Sequence, residues 1–391
     1  MNFPILSKYE VQHKIGDGGF AEVYYAVHKA SGLPVAIKKI PKIVDDNDSH
    51  LVFVRREIDI MKHIPHPFIA DFYEVLENND YIFIIMEYIS NGTLRNTLNE
   101  MGPFTEENAA IIFAQIVLVL KFLHQKCNVV HRDLKSDNIL FDKNFNIRVI
   151  DFGLSNTKAT DEIMKTQCGT PSYASPEMIL GEKYDYSSDI WSAGIVLYEI
   201  VTGSLPFDDS NLARLAQKIL FKEVEFPSGM SSQLIDLIQK LLTKDQLKRI
   251  KLSEIEEHPW VKNQIRFVEE KLDAFKYDKE KIAESLGVLG VDYSKIVEEI
   301  KQKGIKKCSS LEYNLVRRNY LIEHLEPFGT KKDRRKSVNE CVPVKIQIPN
   351  LALKKHAVNL RRLTSRQQVV NAPVILSIGR KVPPKKIQLD I

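Results

Sequence analysis

The hydrophobic period of this chain changes at about Asn91, and few folds tolerate such a change. Before it, apolar residues recur mainly at every second position, which predicts strands over 9–15, 23–28, 35–40, 72–77 and 81–86. One helical pattern, 51–63, interrupts them with apolar Val54, Ile58 and Met61, and Pro65 and Pro67 stop it. After Asn91 come long helical patterns, notably 106–125 and 190–201, separated by loops dense in Asp, Gly and Pro. A mainly β lobe therefore precedes a mainly α lobe, an α+β arrangement. The crevice between two such lobes is the usual place for a small ligand.

The helical region is expected to end near His258-Pro259-Trp260, with a charged connecting helix at 263–275. Three short helical patterns follow, 282–289, 293–303 and 309–325, with Gly290 and Gly304 at their ends, and they predict a small bundle. Beyond Phe328, Pro and Lys break every period, so the tail is expected to be mostly disordered. The net charge of +4 is unevenly spread: residues 330–391 hold 15 Lys and Arg against three acids, a tail of +12 that leaves −8 for the rest. Such a tail is suited to acidic surfaces, whether nucleic acid, a membrane face or the acidic body itself. No aromatic residues interleave with its charges, so no DNA or RNA partner is expected. The apolar run 109–120 falls short of the roughly 18–20 residues of a membrane span. The first residues show neither a secretory leader nor a myristoylation glycine, and the cysteines, Cys127, Cys168, Cys308 and Cys341, lack metal-binding or redox spacing. A cytoplasmic or nuclear location is expected, without disulfides or zinc.

Three glycines lie close together in Ile15-Gly16-Asp17-Gly18-Gly19, and Ala21 stands where a third regularly spaced glycine would fall. Alone, the string is a weak signal. Val23, Tyr25 and Val27 alternate after it, so the loop joins two strands instead of opening a helix. Glycine at a hairpin tip lets backbone N–H groups approach phosphate oxygens, though it serves a plain turn equally well. Lys38 shares a strand face with Ala36. A strand lysine is usually solvated, but the helix carrying Glu57 is placed to hold it for phosphate contact. Further on, His131-Arg132-Asp133-Leu134-Lys135-Ser136-Asp137-Asn138 leads into a hairpin of 139–141 and 147–150, directly followed by Asp151-Phe152-Gly153. Antiparallel pairing brings the ends of that hairpin together, so Asn138 and Asp151 converge as oxygen ligands suited to Mg2+. Asp133 is placed to accept a hydrogen bond from an incoming hydroxyl, and Lys135 to neutralise a moving phosphoryl group. Taken singly, each is an ordinary loop or capping residue; their order and placement argue for a site.

Together these motifs resemble the signature of eukaryotic protein kinases over 9–260. Cys168-Gly169-Thr170-Pro171, Ser175-Pro176-Glu177, the segment 189–194 and Arg249 extend the match. The resemblance implies a bilobal protein kinase fold, with a β-rich N-lobe at 9–87 and an α-rich C-lobe at 91–260 behind an extension of residues 1–8. ATP is then the phosphate donor, with Mg2+ held by Asn138 and Asp151. Ile15, Gly16, Asp17, Gly18 and Gly19 would cover the nucleotide. Lys38 would contact its α and β phosphates, positioned by Glu57. Val23, Ala36 and Leu140 would enclose the adenine, backbone groups of Glu87 and Ile89 would bind it, and Met86 would limit the pocket's depth. Asp133 would orient and deprotonate the substrate hydroxyl, and Lys135 beside it is the pattern of Ser/Thr kinases. Glu177 and Arg249 would form a structural ion pair.

Within kinases the chain is similar to the calcium/calmodulin-dependent group, especially the AMP-activated and microtubule-affinity-regulating branch. That likeness implies a helical linker at 261–279, a ubiquitin-associated-like helical domain at 280–325 and a basic low-order tail at 326–391. It also implies activation when an upstream kinase phosphorylates Thr166, whose phosphate would pair with Arg132. Asp137 and Glu199 match acids that receive basic residues ahead of the target, while Thr93 replaces a common Glu. The alternative is a catalytically silent nucleotide-binding scaffold. Such proteins usually lose the counterparts of Lys38, Asp133 or Asp151, and all three are present here.

Overall fold

The computed structural model describes residues 3–17, 21–42, 49–62, 64–151, 171–303 and 310–328. Gly18, Gly19, Phe152, Gly153, Thr166, the Cys168–Thr170 match and the basic tail lie outside them.

The β-rich part is a five-stranded antiparallel sheet in the order β1-β2-β3-β5-β4: β1 (Tyr9–Asp17), β2 (Glu22–His28), β3 (Pro34–Pro41), β4 (Phe72–Glu77) and β5 (Tyr81–Glu87). Each expected strand is present, one or two residues longer in most cases. Strict alternation divides this sheet into two apolar faces. Ile40, Ile82 and Ile84 pack with Val54 and Ile58 of α1 (Ser49–Met61). Val35, Ile37, Phe83 and Ile85 point the other way. Lys38 and Met86 belong by parity to the first face, Glu87 to the second.

The helical part is built around α3 (Glu106–Lys121), whose residues 108–120 are buried throughout, with α2 (Leu94–Met101) leading into it. Its π-helical continuation to Cys127 makes Glu106–Cys127 long and apolar enough to cross a membrane, but most of it is enclosed by the core. The hairpin β6 (Ile139–Phe141) and β7 (Ile147–Val149) lies on it, and α4 (Pro176–Leu180) and α5 (Tyr186–Thr202) follow. Then come α6 (Leu212–Phe221), α7 (Ser232–Leu241) and α8 (Leu252–Glu256). The expected ion pair is present and buried: Arg249 donates to the two Glu177 oxygens at 2.7 and 2.9 Å. Thr93, the unexpected residue ahead of α2, has a local duty, since its hydroxyl caps that helix by accepting from the Asn96 N–H at 3.1 Å.

Beyond the C-lobe, α9 (Lys262–Ala274) is more than a connector, because Ile265 and Val268 are buried in the main core beside α3. The three further helices are α10 (Lys279–Val288), α11 (Tyr293–Lys303) and α12 (Leu311–His324). They share a small core of Ile282, Leu286, Ile296, Tyr313 and Val316. The last of them is shared with the catalytic region. Leu311 and Leu315 cover the second face of the sheet, and Leu321, with Leu325 and Phe328 after the helix, joins the C-lobe core.

One close approach sets the C-lobe packing. Gly194 in α5 faces the end of α7, and a Cβ there would lie 2.8 Å from Leu241 Cβ and 2.8 Å from Leu242 Cδ2. Gly194→Ala is expected to destabilise the fold by about 1–3 kcal/mol through overpacking, read as a lowered denaturation midpoint. An unchanged midpoint would show that the two helices have slack.

Candidate active site

The loop carrying Asp133 is held from beneath. Asp189, buried in the first turn of α5, accepts the backbone N–H of His131 at 2.8 Å and of Arg132 at 2.9 Å, and shares a hydrogen bond with His124 Nε2 at 2.8 Å. Those bonds hold Arg132 at φ 68°, a left-handed conformation unfavourable for a side chain of its size. Turned in this way, the chain presents Asp133 with its carboxylate accepting from Lys135 Nζ at 2.8 and 3.0 Å and from Asn138 Nδ2 at 2.8 Å. Asn138 Nδ2 also reaches the Asp133 carbonyl at 2.8 Å. Acid, lysine and amide form one fixed cluster.

The β6–β7 register pairs Ile139 with Val149, and the Ile150 N–H donates to the Asn138 carbonyl at 2.9 Å. Asn138 and the residues leading to Asp151 are thus neighbours, as antiparallel pairing requires. Asp151 itself is left-handed at φ 54°. Its carboxylate accepts from Lys38 Nζ, which reaches across from β3. In the sheet, Val23 stands opposite Lys38 and Ala36 opposite Met86, so these four share the face on which the lysine lies. Gly16 is paired with Val23, and the Leu140 backbone bridges to Thr93 beneath this wall. The Glu87 N–H donates to the Asp71 carbonyl at 2.9 Å, and Ile89 is buried just after it.

Glu57 is placed differently from expectation. The helix does bury it near Lys38, yet its two carboxylate oxygens have no hydrogen-bond partner among the described residues, and Asp151 holds the ammonium group instead. The electrostatics follow. Burial pushes the Glu57 carboxyl up to about 8, against the pull of Lys38. Burial also acts to raise Asp151, but the Lys38 charge outweighs it and holds this carboxyl below the usual range. The pair Lys38–Asp151 is therefore ionised while Glu57 holds its proton at neutral pH.

For Mg2+ the donor set fits. Asn138 Oδ1 and the Asp151 carboxylate are hard oxygen donors on adjacent chain segments, and this ion takes few protein ligands beside phosphate and water. Among the described residues no larger cluster of His, Cys, Asp or Glu competes for a metal.

Two features escape the motif reading. Asp189 falls in the segment 189–194 of the family match, which assigns it no role, although an acid in the first turn of an apolar helix is a signal in itself. Arg95 gave no signal. Its Nη1 lies 2.5 Å from Glu199 Oε1, its Nη2 donates to Tyr173 Oη at 2.6 Å, and its Nε is 3.9 Å from Asp137 Oδ2. Tyr173 donates to Glu199 Oε2 at 2.6 Å, so that carboxylate, 0% exposed, is enclosed by the chain's own groups.

Comparison with known proteins agrees with this geometry. Residues 9–261 match the protein kinase domain. The chain is 35% identical over 334 residues to the SNF1-related protein kinase catalytic subunit alpha KIN12 of Arabidopsis thaliana, covering 84% of this chain and 67% of that one. It is 35% identical over 320 residues to the serine/threonine-protein kinase SIK2 of Gallus gallus, covering 79% and 40%. A similar match, 35% over 326 residues, joins it to the serine/threonine-protein kinase SIK1 of Rattus norvegicus, covering 81% and 42%. The chain thus spans two thirds of the plant relative and about two fifths of the animal ones.

The protonated Glu57 makes stability depend on pH. The folded chain keeps this proton up to about pH 8, whereas the unfolded chain releases it near 4.5, so the folded state binds the extra proton between those values. Its contribution to unfolding free energy should therefore decline as pH rises from about 5 to 8. Denaturant titrations at several pH values should show a flatter profile for Glu57→Gln. Equal slopes for the two proteins would mean that Glu57 is ionised in the fold.

Proposed function

The chain belongs to the protein kinase family, and from that premise we propose that it transfers the γ-phosphoryl group of ATP to serine or threonine hydroxyls of protein substrates. One observation carries the reading: Asp133, Lys135 and Asn138 form a fixed cluster on the loop beside the Lys38–Asp151 pair. In the reaction, the substrate oxygen bonds to the γ-phosphorus as the bond from that phosphorus to the bridging oxygen of ADP breaks. The hydroxyl proton passes to the Asp133 carboxylate. Lys135, within 3.0 Å of that carboxylate, supplies a positive charge beside the moving phosphoryl group. Lys38 is placed to meet the α and β phosphates, and Val23, Ala36, Met86 and Leu140 wall the adenine side. Mg2+, held by Asn138 and Asp151, would neutralise charge on the phosphates.

Regulation by phosphorylation of Thr166 belongs to the same reading. Arg132, its intended partner, is solvent-exposed, and its backbone is fixed by Asp189. A phosphothreonine would find there a charged donor rooted on a fixed backbone.

Substrate choice follows from Arg95. Of the two acids expected to receive a basic substrate residue, Glu199 is enclosed and bound to Arg95, while Asp137 keeps about half its side chain exposed. An arginine within the chain thus stands where a substrate's basic group would bind, and only a weak preference for such groups follows.

Purified protein incubated with Mg-ATP and a degenerate Ser/Thr peptide array should phosphorylate it, and Asp133→Asn should lose about three or more orders of magnitude in turnover. Nucleotide binding without transfer by the wild type would instead mark a silent scaffold. On paired peptides with and without an upstream arginine, the wild type should discriminate by less than about threefold and Arg95→Leu by tenfold or more. Strong discrimination by the wild type would show that Arg95 leaves the acids free.

A further inference from the structure

The end of β5 carries an unusual burden of buried charge. The Glu87 carboxylate faces away from the nucleotide side of the sheet. There Oε1 accepts from Arg148 Nε at 3.0 Å, and Oε2 from Arg318 Nε at 2.8 Å and the Asp71 N–H at 3.0 Å. Arg148 also donates to Asp142 Oδ2 at 2.8 Å. Arg317 donates to Asp71 Oδ2 at 3.0 Å, and Arg318 adds bonds to the carbonyls of Ile69 and His66. Except for the part-buried Arg317, these ionic side chains are nearly removed from water.

The charges balance only across two parts of the chain. Residues 9–261 supply three acids, Asp71, Glu87 and Asp142, and one guanidinium, Arg148. The two missing cations are Arg317 and Arg318, both on α12. A buried carboxylate deprived of its partner is strongly unfavourable, so the catalytic region is electrically incomplete without this helix. The charges also set ionisation. Burial acts to raise Glu87, but Arg318 and then Arg148 hold it below the usual carboxyl range. His66 beside them is driven to about 3 by burial and by the same two arginines, and so stays neutral.

We propose that Arg318 is a positioning residue for nucleotide binding: through Glu87 it fixes the strand end whose backbone meets the adenine. The helical segment 279–324 is then a working part of the catalytic unit and not an appended module. The proposal rests on the kinase reading above. The link is geometric. Met86 and Glu87 are consecutive, so one side chain faces the nucleotide wall opposite Ala36 while the next is gripped from behind. Locking the Glu87 carboxylate between Arg148 and Arg318, with its N–H bonded to the Asp71 carbonyl, leaves the following peptide group little freedom. Leu311 and Leu315, packed on the sheet about two turns and one turn earlier in the helix, set where Arg318 falls.

The test uses the full chain and titrates Mg-ATP calorimetrically against wild type, Arg318→Lys and Arg318→Met, with thermal unfolding in parallel. Arg318→Met should weaken Mg-ATP binding about five- to tenfold and raise KM for ATP in step, with kcat and peptide KM within about twofold. Arg318→Lys, which keeps the charge but loses the planar fork, should recover part of the binding. Should Arg318→Met fail to fold, Arg318→Lys decides, with at least about a twofold weakening expected. A folded Arg318→Met with lowered thermal stability but wild-type Mg-ATP affinity would reduce Arg318 to a structural role and overturn the proposal. A wild type that binds no Mg-ATP would instead overturn the kinase reading, and this inference with it.

Discussion

The site depends first on one buried carboxylate. Asp189 has no access to substrate, yet its two bonds to the backbone at His131 and Arg132 keep the following loop in a left-handed turn. Such a turn costs on the order of 1–3 kcal/mol for a residue other than glycine, and it is held only where surrounding bonds over-determine it. Asp133, Lys135 and Asn138 inherit their arrangement from it. The placement of Asp189 in the first turn of α5 ties the loop to the most buried helix pair in the C-lobe, so the chemistry is set on the rigid part of the molecule.

The choice of partner for Lys38 is a second constraint on the crevice. Lys38 lies near two acids, the partly exposed Asp151 and the buried Glu57, and it hydrogen-bonds to only one of them. The unpartnered acid responds by holding its proton, because an ionised carboxylate away from water and without a partner is the costlier state. Which acid the lysine serves is therefore a competition. A nucleotide with its metal would act against the Lys38–Asp151 bond, since the divalent ion would draw on the carboxylate and the phosphates on the ammonium.

Arginine at three places does the work of joining distant segments. Arg249 fastens the segment at Glu177 to the end of α7, Arg95 closes over Glu199 and Tyr173, and Arg318 brings the C-terminal helix onto the strand end at Glu87. In each case the planar guanidinium meets more than one acceptor, which lysine does poorly. The three acids among these acceptors, Glu87, Glu177 and Glu199, are all buried, and their burial would be unfavourable without the cation.

The strands, the hairpin order and the convergence of Asn138 with Asp151 were readable from the chain alone. Local periodicity and antiparallel pairing are properties of short stretches: alternation places Lys38 with Ala36, and a tight hairpin brings its own ends together. The pair Glu177–Arg249 was readable only through family likeness, since 72 residues separate the partners. What needed the folded molecule was every choice between rival partners. Nothing in the local sequence says that Lys38 takes Asp151 over Glu57, that Arg95 reaches Glu199, or that Arg317 and Arg318 of α12 balance acids some 230 to 250 positions earlier. Pairing between buried charges is decided by distance and desolvation in three dimensions, and neither quantity is carried by spacing along the chain.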